Sequence, residues 1–304
     1  MSATPAIAPL HITGNTTPVQ LNLLKELLGE AVVEAAMTAL SKLDRQSAQV
    51  VLDTRKTLKG ELSRTVVETI ERFTISNLYD DEVTQSDRSY PATYRVRPIE
   101  AQVTALRKFF PQLGGCMEKV ARRPLPEGAE CWIAVPRWQA MAPTYYQATE
   151  MVLAALGTQR KFSNRLAGKL NETYLRQTER AMRAREILDE QQPGNDILVV
   201  AAQAGMLHRG VSARRARVSM RGNEFGLGAL SLGSFLLTHP ERLSSHDALM
   251  IDCCGDEYSL RGDCSFDRVP LYDYDLGGMQ FSVFHEDRAR NIWGSPSGFL
   301  FQMP

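Results

Sequence analysis

The sequence predicts a mixed α+β protein, with a helical N-terminal half followed by a smaller C-terminal α/β portion that carries a mixed sheet. Three observations predict it. Apolar residues recur at helical spacing from Leu21 to Phe73, short apolar runs bounded by turn residues follow Glu130, and glycine-bearing turns crowd the chain beyond Cys254. With 304 residues, 43% hydrophobic and 23% charged, the chain has the length for a sizeable core and the composition of a folded protein.

Residues 1–19 read as a flexible arm, because Pro5, Pro9 and Pro18 interrupt any helix. Residues 20–98 read as a helical region and linker. Leu21, Leu24, Leu28, Val32 and Ala36 form the stripe of a first helix. Asp44 caps a second helix through Val50, Val51 and Leu52, and a third carries Leu62, Val66 and Ile70, giving a small helical hairpin or bundle. The acidic run Tyr79, Asp80, Asp81, Glu82 and the prolines Pro91 and Pro98 mark residues 76–98 as an extended linker.

Residues 99–304 read as a mixed α/β domain. A helix over 100–110 carries Val103, Leu106 and Phe110 on one face, and 131–135 is a buried strand stopped by Pro136. A long helical stretch over 144–190, interrupted near Gly157, holds a basic helix whose buried stripe is Phe162, Leu166, Leu170 and Tyr174. The turn Gln192, Pro193, Gly194, Asn195 ends it. Strands at 197–201, 248–253 and 279–284 are expected in one sheet, with helices at 212–220 and 228–237 between the first two. The apolar Phe299, Leu300 and Phe301 read as a docked terminal strand, or as one that pairs with a neighbouring copy.

Net charge is zero, so no global field steers the molecule toward polyanions, but the charge is unevenly spread. Residues 101–221 carry a net of +9 and residues 251–304 a net of −5. No acidic residue lies between Asp196 and Glu224, and that window holds His208, Arg209, Arg214, Arg215, Arg217 and Arg221. A strand, a loop with Gly205 and Gly210, and a helix start capped by Ser212 form a recurrent anion-binding arrangement. Cations in a first helical turn oppose the helix dipole, so an anion is expected to compensate them: a phosphate, a partner's acidic surface, or an acidic residue elsewhere in the fold. Arg165, Lys169 and Arg176 on the basic helix extend the anion-binding set. They either track a phosphate backbone or join i,i+4 pairs such as Glu172–Arg176 and Glu179–Arg183.

Other chemistries have thinner support. Asp252, Asp256 and Glu257 end an apolar run and match either a Mg²⁺ cluster or a hairpin turn, and the hairpin is the expectation. Cys253 and Cys254 are adjacent, so one is expected buried and the other exposed, and with Cys264 they lack zinc spacing. Neither Cys254 nor Ser234 sits in a nucleophile motif with a histidine, and His239 before Pro240 reads as a helix C-terminus. Trp132, Trp138, Tyr145, Tyr146 and Phe225 read as core rather than as base-stacking residues. Five cysteines and no basic-then-apolar leader place the chain in a reducing, cytoplasmic setting, and no apolar run is long enough to span a membrane.

The function expected first is a non-enzymatic cytosolic nucleic-acid- or polyanion-binding protein without cofactor or metal. A self-assembling scaffold protein, a homo-oligomer, comes second. An enzyme acting on a phosphorylated small molecule comes third.

Overall fold

Two units divide the chain, Met1–Thr74 and Ile75–Pro304. In the computed structural model, residues 18–72 and 79–301 are described, and the arm expected over 1–19 lies almost wholly outside them.

The first unit holds α1 (Pro18–Leu40), α2 (Arg45–Asp53) and α3 (Arg55–Arg72). Asp44 is the α2 N-cap, its Oδ1 accepting from the Ser47 N–H at 2.7 Å. Thr54 alone separates α2 from α3. Its N–H bonds the Val50 carbonyl at 3.0 Å and its carbonyl accepts from Leu58 at 3.1 Å, so the helical ladder runs through. The expected helices are present, yet their described side chains do not close into a bundle. No residue of α2 is buried, and Val33, Met37 and Leu52 stay 61%, 65% and 58% exposed.

The second unit begins with the acidic segment, which packs into it, since Glu82 and Tyr94 are buried. Then come α4 (Ile99–Phe109), β1 (Cys131–Pro136), α5 (Trp138–Met141), α6 (Tyr145–Gln159), β2 (Phe162–Asn164), β3 (Leu175–Gln177), α7 (Glu179–Gln191) and β4 (Ile197–Gln203). They are followed by α8 (Ala213–Ser219), β5 (Glu224–Gly226), α9 (Ala229–Thr238), β6 (Met250–Asp252), β7 (Asp256–Tyr258), β8 (Arg268–Asp275), β9 (Gly278–His285), β10 (Trp293–Gly294) and β11 (Ser297–Phe299). The strands make two sheets rather than the one expected. An antiparallel sheet runs β1-β4-β11-β5, and a mixed sheet runs β10-β6-β8-β7-β3 with β9 also on β8 and β2 on β9. Its parallel pairs are β10–β6 and β2–β9. The fold class is therefore α+β, as the sequence predicts. The apolar C-terminal strand is docked, as β11 lies between β4 and β5.

Helix α9 is the centre of this unit. Its sequence is apolar on every side, so it must be enclosed, and it packs on α4, α6 and β1. A Cβ at Gly233 would stand 2.5 Å from the Tyr272 hydroxyl and 2.6 Å from Val152, so glycine permits the close approach to α6 and β8. Enclosure leaves the helix ends without water, and remote side chains satisfy them. Asp256 accepts from the Ala229 N–H at 2.7 Å. At the other end Arg160 donates to the carbonyls of Leu236 and Pro240, and Gln159 to that of Leu237, each at 2.9 Å. His239 Nε2 accepts from the Arg97 N–H at 3.0 Å, and burial lowers its pKa to about 4. The outer edge of β1 is occupied by Gln102 of α4, whose amide donates to Trp132 O and accepts from the Ala134 N–H at 2.9 Å each.

Two segments depart from expectation. The basic helix over 160–185 does not form in its first half. The Asn164 side chain accepts from the Leu166 N–H and Asn171 from that of Thr173, two Asx turns that capture backbone donors a helix needs. Strands β2 and β3 then pair with β9 and β7. Residues 252–257 are not a hairpin either. Asp252 pairs with Leu271 and Tyr258 with Arg268, so one chain advances six residues while its partner advances three. The surplus loops out of the sheet without reversing direction. That is why Cys253 and Cys254 are both buried, where one was expected exposed.

Among the described residues, no helix is long and apolar enough to cross a membrane.

Candidate functional site

The arginine window after β4 is built as expected at the local level. Ser212 caps α8, accepting from the Arg215 N–H at 3.0 Å. The anion that compensates the first-turn cations is already present in the chain. Glu82 accepts from the Ser212 hydroxyl at 2.5 Å and from Arg214 Nε at 2.7 Å, and it raises the pKa of the Arg214 guanidinium through that hydrogen bond. Tyr79 stacks under the same guanidinium at 4.2 Å. Arg215 pairs with Asp80 at 2.9 Å and Arg221 with Glu127 at 2.9 Å.

Arg217 has a different task. It donates to the carbonyls of Cys254 at 2.9 Å and Asp256 at 2.8 Å, and its remaining nitrogen pairs with Glu286 and lies 3.7 Å from Glu257. It therefore pins the looped-out segment at the centre of the unit. Arg209 donates to the Arg88 carbonyl at 3.1 Å. His208 is buried, its Nε2 2.7 Å from Glu224 Oε1.

The other three predicted residues sit on separate strands and turns, not on one helix face. Arg176 pairs with Glu257 at 2.6 Å instead of Glu172, and stacks on Phe266. Arg165 donates to Gln280 at 3.2 Å, and Lys169 lies over the Tyr174 ring. Within α7 the Glu179–Arg183 pair forms as expected. What sequence reasoning missed is the counter-charge. The acidic run at 80–82 was visible, and so was the acid-free window, but their contact joins positions more than a hundred residues apart.

The cost of dismantling this pairing is measurable. In Glu82→Ala the Ser212 hydroxyl and Arg214 lose their acceptor, and stability falls by about 2 kcal/mol in urea titration. A change within 0.3 kcal/mol would mean that the pairing is incidental.

A second cluster is buried and acidic. Glu224 accepts from Ser297, whose neighbour Gln203 donates to Ser297 Oγ at 3.0 Å and to the Ser295 carbonyl at 2.8 Å. Burial pushes the Glu224 carboxyl up, and the hydrogen bonds from His208 and Ser297 outweigh it and hold it below the usual range. Ser295 donates to Asp252 Oδ2 at 3.4 Å, while Oδ1 has no hydrogen-bond partner. Asp256 accepts from Tyr145 at 2.9 Å. Burial raises both Asp252 and Asp256 to about 7. Among the described residues no three His, Cys, Asp or Glu side chains converge as a metal site, so Asp252, Asp256 and Glu257 do not form the Mg²⁺ cluster weighed above.

Among the described residues, neither Ser234 nor Cys254 is paired with a histidine. The Ser234 hydroxyl donates to the Leu230 carbonyl at 2.8 Å, and the Cys254 thiol meets the Pro296 carbonyl. Burial pushes the Cys254 thiol up to about 12, which holds it as an unreactive thiol. Trp132, Tyr145 and Phe225 are core residues, with Trp138 and Tyr146 packed against that core.

Comparison with protein-family models, with curated proteins and with solved structures returns no match.

The surface that stands out is in the first unit. Val32, Val33, Met37 and Leu40 on α1, Val50 and Leu52 on α2, and Leu58 and Leu62 on α3 are all exposed. Charged residues flank them. Glu26, Glu30 and Glu34 recur every fourth residue of α1, and Arg55 and Lys59 do so on α3.

Proposed function

We propose that this chain is a self-assembling structural protein, held to its partners through residues 18–72. The observation that carries the proposal is the exposure of the apolar rows on α1 to α3. Helices with little tertiary packing are marginal in water. Contiguous exposed apolar surface marks interaction sites. Helix α1 is the clearest case, since its last ten residues, from Ala31 to Leu40, contain a single charge, Glu34. Such a helix is stable when other chains surround it.

The second unit supports the same function as the folded body carried by the assembly. Among the described residues, its buried apolar core begins at Tyr94. Its Arg176, Arg214, Arg215, Arg217 and Arg221 meet its own carboxylates, so a polyanion would first have to displace Asp80, Glu82, Glu127, Glu257 and Glu286 there. That displacement makes nucleic-acid binding the weaker proposal, testable by salt-dependent retention on an oligonucleotide.

Charging the apolar row tests the assembly directly. Val33→Glu with Met37→Glu moves the full chain from an oligomeric to a single-chain mass in light scattering, and leaves the melting of the second unit unchanged. An unchanged oligomeric mass in that variant counts against α1 as the contact.

A further inference from the structure

We infer that the partner of the first unit is a second copy of this chain, with the acidic row of α1 set against the basic row of α3. The inference rests on the reading of residues 18–72 as the assembly surface, and adds to it who the partner is and how it is recognised.

The two helices carry matching patterns. On α1, Glu26 and Glu30 lead into Val33 and Met37. On α3, Arg55 and Lys59 lead into Leu62 and Val66. The intervals are identical, so at one constant offset Glu26 faces Arg55, Glu30 faces Lys59, Val33 faces Leu62 and Met37 faces Val66. The stripe on each helix is therefore apolar at one end and charged at the other, with opposite signs on the two helices. Alone, Glu26, Glu30 and Glu34 repel one another along α1. A row of cations relieves that repulsion, and this chain contains one.

Among the described residues the chain does not make this contact with itself. Glu26, Glu30, Val33, Met37, Arg55, Lys59 and Leu62 are all exposed. The helical ladder carries through Thr54, so α3 continues from α2. A second copy supplies both rows at once. The α1 of each chain meets the α3 of the other, which is a self-complementary, closed interface.

Charge exchange between full-length chains tests this. The variant Glu26→Lys with Glu30→Lys, and separately Arg55→Glu with Lys59→Glu, each replace two attractive pairs by repulsive ones at both α1–α3 contacts, four pairs in the dimer. Each is expected to weaken self-association about tenfold in sedimentation or light scattering. An equimolar mixture of the two variants restores the mass of the original chain, because the opposite rows again meet. The inference is overturned if either variant alone associates like the original, or if the mixture stays dissociated. If those results occur while Val33→Glu with Met37→Glu still dissociates the chain, the assembly surface stands and only the pairing rule is wrong. If the original chain is a monomer throughout, the assembly function itself fails.

Discussion

Arg217→Ala lowers the melting temperature of the chain by about 10 °C. The guanidinium side chain is mostly enclosed and holds two carbonyls of the looped-out segment, Cys254 and Asp256, while pairing with Glu286 and approaching Glu257. Its removal leaves those carbonyls without donors and takes away a positive charge that favours the ionised form of two buried aspartates, Asp252 and Asp256. Breaking a buried pair from one side costs about 3–5 kcal/mol, and at this size each kcal/mol is worth about 2–4 °C. Arg217→Lys recovers little, because one ammonium cannot reproduce the planar fork that reaches both carbonyls. A melting temperature within 2 °C of the original would show that Arg217 is free for another task, such as holding a ligand. Differential scanning calorimetry decides between these outcomes.

Acidification from pH 7.5 to pH 5 stabilises the second unit, contrary to the common behaviour of carboxylate-rich proteins. Burial raises Asp252 and Asp256 from 3.8 to about 7. Between about pH 4 and pH 7 the folded chain therefore holds protons that the unfolded chain has released. Stability falls as pH rises through that window, and levels off above it. His239 and Glu224 work in the opposite direction. Burial lowers His239 from 6.5 to about 4, so between those values the unfolded chain alone holds its proton, and one histidine offsets part of the gain from two aspartates. Glu224 acts only below the ordinary carboxylate range, because its pKa is lowered. Each aspartate shift corresponds to at most about 4 kcal/mol. Asp252→Asn isolates one of them, since Oδ1 of Asp252 has no hydrogen-bond partner to lose. The stability difference between Asp252→Asn and the original chain shrinks by about 2 kcal/mol or more on going from pH 7.5 to pH 5. A difference that is constant with pH would mean that Asp252 is ionised in the fold.

Local signals in the sequence carried far. The 3.6-residue spacing of Val103, Leu106 and Phe110 located α4, and the Ser212 cap located α8. The apolar runs before Pro136 and after Asn195 were β1 and β4. The failures share a cause. Phe162, Leu166, Leu170 and Tyr174 have helical spacing, yet the Asx turns at Asn164 and Asn171 and the pairing of β2 with β9 win, and that pairing joins distant residues. The residues at 252–257 have turn composition, but whether they reverse the chain depends on β8, which pairs on both sides of them. The allocation of strands to two sheets is non-local in the same way.

The arginine window shows the limit most clearly. Its clustering, its cap and its need for an anion were all legible. Whether the anion is a phosphate or Glu82 is a question about tertiary contact, which residue order does not encode locally. Conversely, the apolar rows of α1 to α3 read as the core of a bundle from spacing alone, because a stripe facing its own chain and a stripe facing another chain have the same pattern.

The most direct measurement of the central claim is the mass, by light scattering across a concentration series, of the full chain beside a fragment of residues 75–304. The fragment is expected to fold by itself, because its core is drawn from residues within it. The full chain is expected above its single-chain mass of 33.9 kDa and to fall toward it on dilution, while the fragment stays at one chain throughout. A full chain that remains at 33.9 kDa at the highest concentration, or a fragment that keeps the oligomeric number of the full chain, would contradict assembly through the first unit.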